Sequence, residues 1–152
     1  MNAEQFCERM NVLLPQIMKG MAQNENNYLS QGKITLPQFR VLVYLLREGE
    51  KTMSNAADML GVSKPSATGT VDCLIAQGLV GRRHDKEDRR IVWIAITSQA
   101  KKIADDILKQ KRRTMIKIFG SLSSAARARY LELFEQIAKI LNTPSVTVKT
   151  KI

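Results

Sequence analysis

Residues 63–70, Ser-Lys-Pro-Ser-Ala-Thr-Gly-Thr, and residues 82–90, Arg-Arg-His-Asp-Lys-Glu-Asp-Arg-Arg, hold the side chains best suited to gripping a polyanion. In the first run Ser63 is a good helix N-cap, and Pro65 tolerates the first helical turn because its missing N–H costs little there. Ser63 and the helix amides can hydrogen-bond a phosphate, and Lys64 adds charge. Pro65, Ser66, Gly69 and Thr70 are the candidates for touching bases, because hydroxyls read base edges and proline or a threonine methyl can meet a thymine methyl. Cys73 follows one turn further on, at the border of that face. In the second run Arg82 and Arg83 suit phosphates. Asp88-Arg89-Arg90 places a carboxylate two residues from an arginine, close enough in a tight turn to fix the guanidinium fork of Arg90. An arginine so ordered can enter a narrow A·T-rich minor groove. Asp85, Lys86 and Glu87 read as an ordinary solvated turn.

These groups need elements to hold them. Ala67, Val71, Leu74 and Ile75 recur at helical spacing, and Gly78 stops that helix. Leu79–Arg83 and Ile91–Thr97 read as two strands joined by a charged tip. Before them, Thr35 caps a helix containing Pro37, Phe39, Val41, Leu42, Leu45 and Leu46, and Gly49 ends it. Met53–Leu60 forms a short helix, with Ser54 as its cap and Ala56, Ala57 and Leu60 inward. Gly61-Val62-Ser63 is then the turn of a helix-turn-helix. Small residues along the outward face of the second helix allow close approach to a groove. The fold class is therefore mainly α with a small β-hairpin wing, a winged helix-turn-helix.

Long helices flank this unit. Residues from Asn2 to about Asn26 carry Phe6, Met10, Leu13, Leu14, Ile17, Met18 and Met21 on one broad face, with Pro15 predicting a kink or a restart. From Ser98 a stripe of Ala100, Ile103, Ala104, Ile107 and Leu108 continues through Met115, Ile116, Ile118 and Phe119 to a break at Gly120. Ser123 or Ser124 caps a last helix with Ala128, Leu131, Leu133, Phe134, Ile137, Ile140 and Leu141. The organisation is thus an N-terminal dimerisation helix (1–30), a winged unit (31–97), C-terminal dimerisation helices (98–143) and a flexible tail (144–152). Three amphipathic helices outside a self-sufficient core predict a homodimer. Two-fold symmetry would set two recognition helices about one DNA turn apart. A monomeric helical cap is the other use for them.

Bulk properties agree. Twenty-four Lys and Arg against fourteen Asp and Glu give +10 over 152 residues, a surplus that favours nucleic acid or an anionic surface. Cys7 and Cys73 are too few for a disulfide framework and fit a reducing compartment. No signal peptide and no apolar run near the ~20 residues of a membrane span is visible, so a cytoplasmic location without membrane partners is expected. His84 is the only histidine. With no nucleophile motif, no phosphate loop and no set of metal ligands, an enzyme, a cofactor and a structural metal are not expected. The competing reading is a winged-helix protein-interaction module without sequence-specific DNA binding, its basic surface serving acidic partners.

ITLPQFRVLVYL, AADMLGVSKPSATGTVDCLIAQGLVGRR and DKEDRRIVWIAIT together resemble the MarR family of bacterial and archaeal regulators, over Ile34 to Thr97. The resemblance implies a regulator, usually a repressor, that binds double-stranded DNA at pseudo-palindromic operators as a homodimer. It implies that Asp88 orients Arg90 for the minor groove. It also implies a small-molecule effector, aromatic or anionic, held between the dimerisation helices and the winged unit. Lys109, Lys111, Arg112, Arg113 and Lys117 suit an anionic ligand, a solvated face or a DNA-facing side. Trp93 departs from the family, which usually has a smaller aliphatic there, and Ala100 stands where glycine is frequent. Cys7 is the candidate redox residue, since the family's peroxide sensors keep a cysteine in the first helix. Glu8 beside it opposes thiolate formation.

Overall fold

Side-chain caps set most of the helix boundaries. In the computed structural model, which describes residues 1–143, Asn2 and Gln5 form a reciprocal capping box that opens α1 (Ala3–Gln23). Thr35 and Gln38 do the same for α2 (Leu36–Glu48), which Gly49 ends at φ 76°. Such boxes satisfy two amides that the helix itself leaves without partners. Next come β1 (Lys51–Thr52), α3 (Met53–Leu60), α4 (Lys64–Ala76), β2 (Val80–His84), β3 (Val92–Ile96), α5 (Ser98–Gly120) and α6 (Ser124–Asn142). The mainly helical winged architecture expected from the pattern is the one observed. No helix among the described residues is long and apolar enough to cross a membrane.

Three local expectations are corrected. The cap of α3 is Thr52, not Ser54: the Thr52 hydroxyl accepts from the Asn55 amide at 3.2 Å, and the Asn55 side chain accepts from the Thr52 amide at 3.1 Å. Thr52→Ala should therefore cost about 1 kcal/mol of folding stability, and Ser54→Ala less than about 0.5 kcal/mol. Urea titrations of the two variants check this, and equal losses would contradict it. Second, of the kink or restart expected at Pro15 there is no restart, because α1 runs through it. The Asn11 carbonyl loses its amide partner there, and the exposure of this helix lets water replace it. Third, the sheet has three strands. β1 pairs antiparallel with β3 (Lys51 opposite Ile94, Thr52 opposite Trp93), giving the order β1-β3-β2.

The chain falls into two compact units whose division lies inside α5, between Arg112 and Arg113. In the first unit α2, α3, α4 and the sheet share one apolar core. Val41, Leu42 and Leu45 of α2, Ala56 and Ala57 of α3, and Val71 and Leu74 of α4 are all buried, with Ile94 of β3. Alanines at the α3–α4 contact let two short helices cross closely. Ala100, Ala104 and Ile107 carry the core onto α5. Thr97 links wing to helix: its hydroxyl donates to the Gly78 carbonyl at 3.0 Å and accepts from the Ala100 amide at 3.2 Å. In contrast, α1 buries no residue, and Phe6 and Ile17 are 50% and 53% exposed.

The second unit holds the end of α5 and all of α6. Ser123 caps α6 through the Ala126 amide. Arg127 donates to the carbonyls of Phe119 and Leu122, which closes the C-terminus of α5. Phe119, Tyr130 and Phe134 follow in series: Phe119 meets Tyr130 tilted at 54° with centroids 4.9 Å apart, and Tyr130 stacks on Phe134 at 4.4 Å. No residue of α6 is buried, and Leu131, Phe134, Ile137 and Ile140 are each at least half exposed. The tail assigned to 144–152 lies outside the described residues.

Candidate nucleic-acid interface

The outer face of α4 is built by what the helix turns inward. Ala67, Val71 and Leu74 are buried, so Pro65, Gly69, Asp72 and Cys73 fall on the opposite side. A side-chain carbon built at Gly69 would meet no atom within 4 Å, so this face is unobstructed. Ser63, Lys64, Pro65, Ser66 and Gly69 are exposed, and Thr70 is half-buried. The Gly61 turn (φ 70°, ψ 35°) is left-handed, which favours glycine, and it sends the chain from α3 into α4.

The hydroxyls are more committed than the sequence suggests. Ser63 accepts from the Ser66 amide, and the two serine hydroxyls lie 3.0 Å apart. Thr70 donates to the Ser66 carbonyl at 3.1 Å, which leaves its oxygen to accept and its methyl to make contact. Thr68, not singled out above, is exposed and donates to the Lys64 carbonyl at 2.9 Å. It lies one turn beyond Lys64, in a cleft of about 530 Å³ between α4 and the wing whose lining includes Lys64, Asp72, Arg82, Arg90 and Ile91. The i, i+4, i+8 spacing of Lys64, Thr68 and Asp72 was the available signal.

On the wing the expected Asp88–Arg90 salt bridge does not form. Asp88 instead accepts from the backbone amide of Arg90 at 2.9 Å, and its carbonyl accepts from the Ile91 amide. The carboxylate is two residues away, as the sequence suggested, but the short Asp side chain reaches the nearer amide first, an Asx turn. Asp88 thus shapes the tip and leaves the guanidinium of Arg90 without a carboxylate partner among the described residues.

Asp85 is not an idle turn residue either. One of its oxygens accepts from the amides of Glu87 (2.9 Å) and Asp88 (3.2 Å), and the other accepts from the indole N–H of Trp93 (2.9 Å). These bonds favour the charged form, the Glu87 amide most and the Trp93 indole next, and hold the Asp85 carboxyl below the ordinary aspartate range. Because the folded value lies below the unfolded one, this contribution is whole above the ordinary range. It is lost as pH falls through the lowered value. Acid titration followed by the indole proton resonance of Trp93 should show release only below ordinary aspartate titration. A midpoint within the ordinary range would refute this.

Arg82 and Arg83, assigned to phosphates from the sequence, already face carboxylates of their own chain. Arg82 meets Asp72 at 3.1 Å, and Arg83 is held by both oxygens of Glu50, at 2.9 and 2.7 Å. The Glu50 hydrogen bond holds the Arg83 guanidinium above its ordinary range. Exposed pairs of this kind contribute little to stability, so Arg82 can exchange Asp72 for a phosphate at small cost. Arg83 is bound in bidentate fashion and lies 5.4 Å over the Trp93 ring, which makes it the less available of the two. Cys7 and Cys73 are both exposed free thiols.

A second hollow of about 400 Å³ lies along α2. Phe39, Val43, Tyr44, Met59 and Leu108 give it an apolar lining, and Arg40 and Arg47 add two positive charges against the one negative charge of Glu48. Among the described residues no group of His, Cys, Asp and Glu is arranged to hold a metal ion.

A helix with an open, small-residue face beside a hairpin tipped by arginines defines a winged helix-turn-helix of the DNA-binding kind. A profile of the MarR family matches residues 33–91. The Bacillus subtilis HTH-type transcriptional regulator YpoP is 30% identical over 135 residues, covering 89% of this chain and 95% of its own. A MepR-like protein solved in complex with pseudoligands is 30% identical with a TM-score of 0.60, over 88% of this chain and 94% of its own. A MarR family protein from Bacillus stearothermophilus shares the fold at 23% identity and a TM-score of 0.71, over 94% of this chain and 99% of its own. The chain belongs to the MarR family of DNA-binding transcriptional regulators, which are not enzymes.

Proposed function

We propose that this regulator is a repressor that binds a pseudo-palindromic operator as a homodimer and leaves it when a small aromatic or anionic effector binds. The observation that carries the reading is the open face of α4 at Pro65, Ser66 and Gly69 beside the guanidinium of Arg90, which meets no carboxylate among the described residues. In this reading Ser63 and Lys64 meet the backbone, α4 enters the major groove, and Arg89 and Arg90 reach the neighbouring minor groove. Arg82 joins them by releasing Asp72. Dimerisation accounts for the apolar side chains that α1 and α6 leave in water, which a monomer would expose at some cost. The hollow beside Arg40 and Arg47 fits a flat apolar body bearing a negative charge. The MepR-like relative, solved with pseudoligands, supports a small-molecule site in a chain of this kind.

The test begins with a duplex recovered by repeated rounds of binding from a randomised pool. Arg90→Ala should weaken its binding by about 1–3 kcal/mol and relax preference at the A·T positions beside each half-site. Sedimentation should give a dimer, and aromatic acids should release the duplex. If no duplex is enriched and none is bound at low salt, the protein-interaction reading takes its place.

A further inference from the structure

Trp93 links parts of the molecule that are distant in sequence. It sits on β3, the central strand, opposite Arg83 of β2 and Thr52 of β1. Its indole N–H reaches Asp85 at 2.9 Å, its ring lies under the Arg83 guanidinium at 5.4 Å, and Glu50 holds that guanidinium with both oxygens. A continuous set of contacts therefore runs from Glu50, before β1, through Arg83 and Trp93 to Asp85. The second oxygen of Asp85 then holds the amides of Glu87 and Asp88, and Asp88 holds the amide of Arg90.

The need for such a set follows from the sheet. β2 and β3 pair from Val80–Ile96 out to His84–Val92, while β1 supports β3 only at Trp93 and Ile94. Beyond that support the hairpin is a two-stranded ribbon, which is marginal by itself in water. An arginine on a loosely held ribbon must be ordered when it binds, and that ordering subtracts from affinity.

We propose that Trp93 is a positioning residue for DNA binding. Through Asp85 and Arg83 it anchors the wing turn to the sheet, so that Arg90 is presented in one pose, and it does so without touching DNA. Arg83 is correspondingly a brace and not a phosphate contact. The inference rests on the reading of the wing as a DNA contact.

The test is a double-mutant cycle on the selected duplex. Trp93→Phe keeps a ring beneath Arg83 and removes the N–H. Asp85→Asn can keep the turn, its amide oxygen accepting from Glu87 and Asp88, while its NH₂ faces the indole N–H. Each should weaken duplex binding about three- to tenfold, the size expected for one hydrogen bond. In an Arg90→Ala background each should weaken it less than about twofold, because the residue they position is gone. A general loss of stability would act equally in both backgrounds, and that result overturns the proposal. If Trp93→Phe fails to fold, as thermal melting would reveal, Asp85→Asn carries the same cycle. Unchanged binding by Arg90→Ala itself would remove the DNA reading of the wing. A clear loss in Arg90→Ala with none in Trp93→Phe and Asp85→Asn would leave that reading intact and end the positioning role.

Discussion

Raising salt from about 50 to about 200 mM is expected to weaken duplex binding by roughly a thousandfold. Lys64, Arg89 and Arg90 have no carboxylate partner among the described residues. In the proposed dimer, two protomers double these three cations to six. Six cations set against the duplex, Lys64 at the backbone and Arg89 and Arg90 in the minor groove, each displace about one counterion, for a slope near −5 in log affinity against log salt, and a fourfold rise in salt then lowers affinity by about 10³. Arg82, if it leaves Asp72 for a phosphate, steepens the slope by about one per protomer. Lys64→Ala should flatten it by about one per protomer, with little change in sequence preference, because a phosphate contact carries no base information. Fluorescence anisotropy across a salt series measures both. A slope shallower than about −2 would mean that the groups around α4 do not lie on a phosphate backbone.

Gly69→Leu is expected to move two properties in opposite directions. Glycine inside a helix costs close to 1 kcal/mol relative to good helix formers, and Gly69 lies inside α4 with open space where a side chain would begin. The variant should therefore melt higher, by up to about 1 kcal/mol in stability. Its side chain projects from the face proposed to meet DNA. By analogy with overpacked cores, the clash should lower duplex affinity by about 1–3 kcal/mol, roughly five- to 150-fold. Gly69→Ala should gain the same stability with a smaller loss of affinity. A Gly69→Leu protein that is more stable and binds DNA as before would show that this face does not enter a groove.

Much of the scaffold was legible because it is written locally. Thr35, the glycines at 49, 61 and 78, Ser123 and Gly120 each act on neighbours within four residues. The apolar stripes of α2, α4 and α5 repeat at a fixed period. Features that depend on contacts across the chain were harder to see. β1 is two residues long and has no period to detect. Thr52 and Ser54 are equally good cap residues, and only the strand position of Thr52 gives it the extended backbone a cap needs. Asp88 is legible as a tip-shaping residue, but its partner is not, because the order of residues does not distinguish a backbone amide from a guanidinium two positions on. The roles of Asp85 and Trp93 arise from the register of β2 with β3, which brings residues eight apart into contact.

The tryptophan that anchors the wing is the only one in the chain. Its near-ultraviolet emission therefore originates at one known point, beside the hairpin turn. Quenching of that light on adding duplex reports events at the wing alone, without an attached dye. Tyr28, Tyr44 and Tyr130 can be avoided by exciting at the red edge of the indole band.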